Sequence, residues 1–401
     1  MLSRLGIGNN PAHRQIALLA ACQALLLTNA GTLISVNVLA GLALSGNPTW
    51  ATLPVTCYVL GSALSTMMAS LVMRRIGRRG GFTLGGLFGI LGALMCAGAM
   101  ALHSFVLLCL GTMVIGVYNA FGQYYRFAAA DVTQKLEPRF KERAIALVLT
   151  GGVVGGIIGP ETSMRTVDAL PITYMGSYLM LIVFALIAIG IVRKLDVPMP
   201  TEQERSGAQR PFSEIARQPA FIVAVLGAMI SYGIMNLLMS ATPLAMRVCG
   251  HTFQDSAFVL EWHIIGMFLP GLFTGGLIRR HGVLTIMMVG VLLLVACACI
   301  AMTGVSVTHF WASSALLGVG WNFIFIGATT LLTETYRPAE KAKVQGLNES
   351  LVFLTMISSS LSSGAMFSAS GWNLINLYAL PVLGVLGCAI LALGWQRRKP
   401  A

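Results

Sequence analysis

The chain has 401 residues, 56% of them hydrophobic and 10% charged, with a formal net charge of +12. A mean hydropathy of +0.79 is too high for a string of water-soluble domains and describes a polytopic membrane protein. The basic excess is spread over short loops instead of one folded face, which excludes a nucleic-acid-binding surface.

Apolar stretches of roughly 20 residues cross a hydrocarbon core, and twelve are predicted here. The first, 15–43, is long enough to span and lacks a small-residue cleavage site, so it is expected to remain as a helix and not to act as a signal peptide. The second, 50–73, runs into "RRIGRRG" from Arg74 to Gly80. The third and fourth, 81–103 and 105–131, are followed by Lys135, Arg139, Lys141 and Arg143. The fifth and sixth, 144–168 and 173–192, complete a first half, residues 1–193. A polar linker, 194–218, carries a short surface helix expected around "FSEIARQ". The second half, 219–401, holds spans at 219–245, 256–278, 283–303, 308–333, 347–368 and 373–395. Apart from Arg126, Arg165 and Arg247, every basic residue falls on one side of this arrangement, which places both termini in the cytoplasm and the protein in the inner membrane. The eight cysteines have no metal-ligand spacing and read as small core residues; no metal or cofactor site is expected.

The halves repeat one another. Gly77 and Gly282 follow "RRI" and "RRH" after the second span of each half, and "YNAFGQYYRFAAAD" (118–131) aligns with "WNFIFIGATTLLTE" (321–334). That pairs Asn119 with Asn322 and Asp131 with Glu334; Pro138, Arg143 and Leu147 then align with Pro338, Lys343 and Leu347. Internal repeats of this kind mark secondary transporters, whose substrate sites lie near mid-membrane.

On these residues the chain resembles the major facilitator superfamily along nearly its whole length. The family's loop motif, G-x-L-x-D-R-x-G-R-R, is kept at Arg75, Gly77, Arg78 and Arg79, and in the second half at Gly275, Leu277, Arg280 and Gly282. The acidic position is Arg74 in one half and Arg279 in the other, and Asp131 and Glu334 are candidate partners for these arginines. The resemblance implies an all-α fold of two pseudo-symmetric six-helix bundles, and a gating network that takes in Arg74, Arg75, Gly77, Arg78, Asp131, Arg279, Arg280, Gly282, Glu334 and Glu349. On the fifth span, "GGVVGGIIGP" keeps the G-x-x-x-G-P core of the motif of proton-coupled exporters through Gly155, Gly159 and Pro160. Gly151, Gly155 and Gly159 share one face and would admit a closely packed helix.

Ionisable groups are costly in hydrocarbon and usually face a pathway. Asn119, Gln123 and Arg126 form one polar stripe on the fourth span. Two roles are open to Arg126: it grips an anionic substrate group, or it pairs with Asp131 or Glu349. Glu161 carries protons or pairs with Arg165 one turn on; Glu261 and His263 in "LEWHIIGMFLPG" form a proton relay or anchor the span end. Tyr232 and Asn236, with Trp321 and Asn322, are expected to line an aromatic, amphipathic pocket.

No phosphate-binding loop or nucleophile constellation is present, so the chain is not read as an enzyme or an ATP-driven pump. The expected activity is movement of a small organic solute by alternating access, driven by protons or sodium, in a protein that functions as a monomer in the bilayer. The fifth-span motif favours export by proton antiport. The second reading is uptake of an anionic or aromatic nutrient or vitamin by proton symport, and a non-transporting sensor is a minor third.

Overall fold

The computed structural model describes residues 11–47, 50, 52–136, 140–199, 202 and 207–398; Pro138 of the repeat alignment lies outside them. Every regular element among the described residues is helical. In chain order these are α1 (Pro11–Ser45), α2 (Leu53–Ala101), α3 (Phe105–Gly122), α4 (Tyr125–Leu136), α5 (Lys141–Thr166), α6 (Met175–Val192), α7 (Phe212–Ala216), α8 (Pro219–Val248), α9 (Phe253–Phe268), α10 (Gly271–His281), α11 (Val283–Thr303), α12 (Val307–Leu332), a 3-10 turn (Pro338–Glu340) and α13 (Lys341–Gln396). Among the described residues, nine helices are long and apolar enough to cross a membrane, or ten when α9 and α10 are counted as one bent span.

The chain divides into two compact units. Unit 1 comprises Met1–Gly207 together with Lys341–Ser350; unit 2 comprises Ala208–Glu340 and Leu351–Ala401. The first turns of α13 are therefore part of unit 1, although their sequence belongs to the second repeat.

The repeat is visible in the backbone. Gly77 breaks α2 with φ 78° and ψ 168°, and Gly282 separates α10 from α11 with φ 86° and ψ 151°. A Cβ strongly disfavours that region, so each repeat needs glycine where its second helix turns into its third. The long α13 is broken in the same manner at Gly371. Two expected spans are interrupted. The eighth bends by 41° between α9 and α10, at Pro270, which has no N–H for the helical ladder. The fourth tightens at residues 123 and 124, where the Tyr124 N–H reaches the Phe121 carbonyl, three residues back.

Within unit 1 the glycine face of α5 lies against α1. A methyl group built on Gly155 would come within 2.6 Å of Leu27 Cβ, and one on Gly159 within 2.9 Å of the Thr28 carbonyl oxygen. This approach lets the Thr32 hydroxyl donate across the interface to the Gly159 carbonyl at 3.0 Å. In unit 2, α9 and α12 meet at Gly266 and Gly318, and a Cβ on Gly266 would stand 2.7 Å from the Ala315 carbonyl oxygen. Small residues thus set the helix spacing where apolar burial alone would provide little specificity in lipid.

Candidate functional site

The polar stripe of unit 1 is a connected ladder. Asn119 donates to the Ser62 hydroxyl at 3.1 Å, Gln123 donates to Asn119 Oδ1 at 3.2 Å, and Arg126 Nη1 approaches Gln123 Oε1 at 3.5 Å. At the end of the ladder Arg126 Nη2 pairs with Glu349 Oε1, with side-chain exposures of 1% and 2%. Asn348 donates to the same carboxylate oxygen at 2.8 Å, and the guanidinium lies 4.8 Å from the Phe127 ring centre. Of the two roles open to Arg126, the geometry presents the pairing role, with Glu349 as partner.

A second ionic cluster surrounds Asp131. Arg78 Nε donates to Asp131 Oδ2 at 3.1 Å and Lys341 Nζ approaches Oδ1 at 3.0 Å, while Arg78 Nη2 donates to Gln345 Oε1 at 2.7 Å. The guanidinium also lies 5.4 Å from the Tyr124 ring centre. The expected pairing of Asp131 with Arg74 is thereby corrected to Arg78 and Lys341; Arg74 is half-buried, while Arg75 and Arg79 are exposed. In the second half Glu334 pairs with Arg397 at 3.0 Å, not with Arg279, and both Arg279 and Arg280 are exposed. The asymmetry has a simple cause: Arg78 directly follows Gly77, whereas Val283 follows Gly282.

Unit 2 gathers the aromatic residues. Tyr232 meets Trp321 and Phe325 edge-on, at 5.1 and 4.8 Å between ring centres, and Trp321 stacks on Phe325 at 4.9 Å. Phe268 closes the group at 6.0 Å from Trp321. The Trp321 indole N–H is buried and has no hydrogen-bond partner among the described residues. Asn236 is held by the Met356 carbonyl and Ser359 hydroxyl, both at 3.0 Å. Asn322 is fully buried: it donates to the Met267 carbonyl at 2.6 Å and accepts from Thr274 at 2.7 Å. Asn119 and Asn322 thus bind equivalent places, because Ser62 and Met267 stand equally far ahead of Gly77 and Gly282.

The expected proton carriers have different surroundings within their own units. Glu161 is 46% exposed near the end of α5 and accepts from Arg165 Nε at 2.7 Å. Glu261 is exposed, while His263 is buried with its Nδ1 3.0 Å from the Ser314 carbonyl. Positions two apart on a helix point to different faces, and Glu261 and His263 do so on α9.

One site escaped the motif reading. Arg210, at the end of the linker, forks onto Glu340: its Nε donates to Oε1 at 2.9 Å and its Nη2 to Oε2 at 2.7 Å. Nη2 also donates to the Thr335 carbonyl at 3.1 Å, and Glu340 accepts from the backbone N–H groups of Arg210 and Arg337. These hydrogen bonds, led by those from Arg210, lower the Glu340 pKa to about 2 against the opposing effect of burial. The pair joins residues 130 apart in sequence, and neither carries a local motif that would announce it.

A sequence model described as Major Facilitator Superfamily matches residues 16–303 and 252–401. The chain belongs to the major facilitator superfamily. Among curated relatives of this superfamily member, a protein named riboflavin transporter RfnT, from Brucella anthropi, is 38% identical over 378 residues, covering 94% of each chain. The uncharacterized MFS-type transporter YddS of Bacillus subtilis is 25% identical, covering 86% of this chain and 83% of its own length. Among solved structures, FucP in the outward conformation superposes with a TM-score of 0.73 at 16% identity, covering 96% of this chain and 99% of FucP. The human organic anion transporter MFSD10 superposes with a TM-score of 0.74 at 13% identity, covering 95% and 100%. These two likenesses establish the fold; the family assignment makes the chain an integral membrane transporter and not an enzyme.

Proposed function

We propose that this transporter carries riboflavin, or a flavin of closely similar ring system, into the cell. The observation that carries the proposal is the 38% identity with a riboflavin transporter across 94% of both chains. Two features of the fold support it. The buried charge of Arg126 is neutralised by Glu349, which suits a neutral solute better than an anion. The Tyr232, Phe268, Trp321 and Phe325 group supplies faces for stacking a flat heteroaromatic ring, and the buried indole N–H of Trp321 is a donor for a ring carbonyl. Export by antiport, which the fifth-span motif favoured, loses its main support, because Gly155 and Gly159 have a packing role against α1.

The reading extends to the expected twelve spans, with α2 and α13 each crossing twice on either side of Gly77 and Gly371, and to cytoplasmic termini and an inner-membrane location. Coupling runs through protons, and Glu349, whose carboxylate holds the buried guanidinium of Arg126, is the residue through which that coupling is tested. Monomeric function is retained in this reading.

The test is riboflavin uptake by purified protein in proteoliposomes under an inward proton gradient, an inward sodium gradient, or none. Concentrative uptake under the proton gradient that Glu349→Gln reduces to equilibration supports the proposal. Uptake driven by sodium alone overturns the coupling, and failure of riboflavin to enter under any gradient overturns the substrate.

A further inference from the structure

The groove that the glycines keep narrow between α1 and α5 opens, at the N-terminal ends of both helices, into a cavity of about 230 Å³. One wall is apolar: Ile16, Ala17 and Ala20 on α1 face Leu147 on α5. The rim is basic and aromatic. The Arg143 guanidinium lies 5.4 Å from the Phe140 ring centre, and the His13 ring centre stands 4.6 Å from the same ring. A guanidinium held through its face keeps its N–H edge available for an oxyanion. Among the described residues that line the cavity, Arg143 is a cation and no carboxylate is present. The site therefore joins an apolar trough to a cationic mouth, at the end of the helices where the basic loops lie.

We propose that this cavity binds an anionic phospholipid, with its phosphate at Arg143 and His13 and an acyl chain along Ile16, Ala17, Ala20 and Leu147. The chemistry selects that occupant. A free phosphate has no use for the apolar wall, and a sugar or polyol would find too few donors and acceptors on it. A phospholipid in the surrounding bilayer satisfies both, and basic pockets between membrane helices are suited to such headgroups.

The experiment uses full-length protein, stripped of lipid in detergent and titrated with phosphatidylglycerol, phosphatidylcholine or soluble glycerol phosphate, with bound lipid counted by native mass spectrometry. Phosphatidylglycerol is expected to bind in preference to phosphatidylcholine. Arg143→Gln should weaken its binding about fivefold, the effect of about one basic residue at an anionic lipid surface. Ala17→Trp, which fills the exposed side of the trough, should weaken both lipids; if that variant aggregates on gel filtration, Leu147→Trp replaces it. Equal binding of the two lipids, or phosphatidylglycerol binding unchanged in both variants, overturns the proposal. Full competition by glycerol phosphate also overturns it, because the site would then be one for a free phosphoester. Flavin uptake is a separate readout, so failure of the substrate assignment would leave this test intact.

Discussion

Arg126 and Glu349 form an ion pair with almost no exposed surface, and the two residues come from different sequence repeats yet lie in the same compact unit. A buried pair is weak evidence of net stabilisation, because two desolvated charges cost nearly what their attraction returns. Losing one partner is a different matter. Glu349→Ala is expected to destabilise the protein by about 3–5 kcal/mol, since it strands a buried guanidinium. Arg126→Met combined with Glu349→Leu should recover most of that loss while concentrative uptake stays absent. Thermal unfolding in detergent, read beside flavin uptake, separates the two effects.

Arg78→Val installs in the first repeat the residue type that Val283 holds in the second. Asp131 would keep Lys341, and Gln345 would lose the hydrogen bond that Arg78 Nη2 donates to it. The expected cost is about 1–3 kcal/mol, the usual range for leaving a buried polar group without its partner. A double-mutant cycle with Asp131→Asn should return a coupling energy clearly above experimental error; additivity would mean that the two side chains do not interact.

Gly155→Leu should abolish correctly folded protein, because even a methyl group there meets Leu27 Cβ at 2.6 Å and α1 has no room to retreat without losing the Thr32 to Gly159 hydrogen bond. Gly190→Leu on α6, where a Cβ meets nothing within 4 Å, is the matched control and should fold. Monodispersity on gel filtration reads the outcome. Equal yields from the two variants would contradict the close α1–α5 packing.

Glu340 titrates at about 2, below its ordinary 4.5, because Arg210 hydrogen-bonds to its charged form. A depressed carboxylate contributes stability that is fully present above its unfolded-state pKa and is lost as pH falls through the folded value. The melting-temperature gap between wild type and Glu340→Gln should therefore be constant from pH 8 to about pH 5. It should narrow steadily as pH falls from about 4.5 toward about 2. A gap that widens with acid would show that the pair opposes folding.

Trp321→Phe keeps an aromatic ring against Phe325 and removes the indole N–H. If that N–H meets a flavin carbonyl, the KM for riboflavin should rise about tenfold, equivalent to roughly 1–1.5 kcal/mol for one hydrogen bond, with little change in kcat. An unchanged KM would confine Trp321 to packing.

Several features were legible because they depend on short-range pattern. Apolar run length marked the spans, and Gly77 and Gly282 marked the turns whose positive φ only glycine adopts readily. The glycine stripe on α5 announced a close helix contact. The polar stripe Asn119, Gln123 and Arg126 followed from helical spacing and emerged as a hydrogen-bonded ladder. Glu261 and His263 lie two positions apart, a spacing that turns them toward different faces of a helix, and one is exposed while the other is buried.

What the sequence by itself determined is the class of molecule: an all-helical membrane protein with a repeated sequence pattern and few charges. Hydrophobicity, helical period and glycine backbone freedom are local properties, and they need no knowledge of distant residues. Partner choice belonged to the tertiary structure. Asp131 took Arg78 and Lys341 instead of Arg74, and Arg210 took Glu340 across 130 residues. A buried charge must meet whichever opposite charge the packed helices carry to it, and that depends on the folded path of the whole chain.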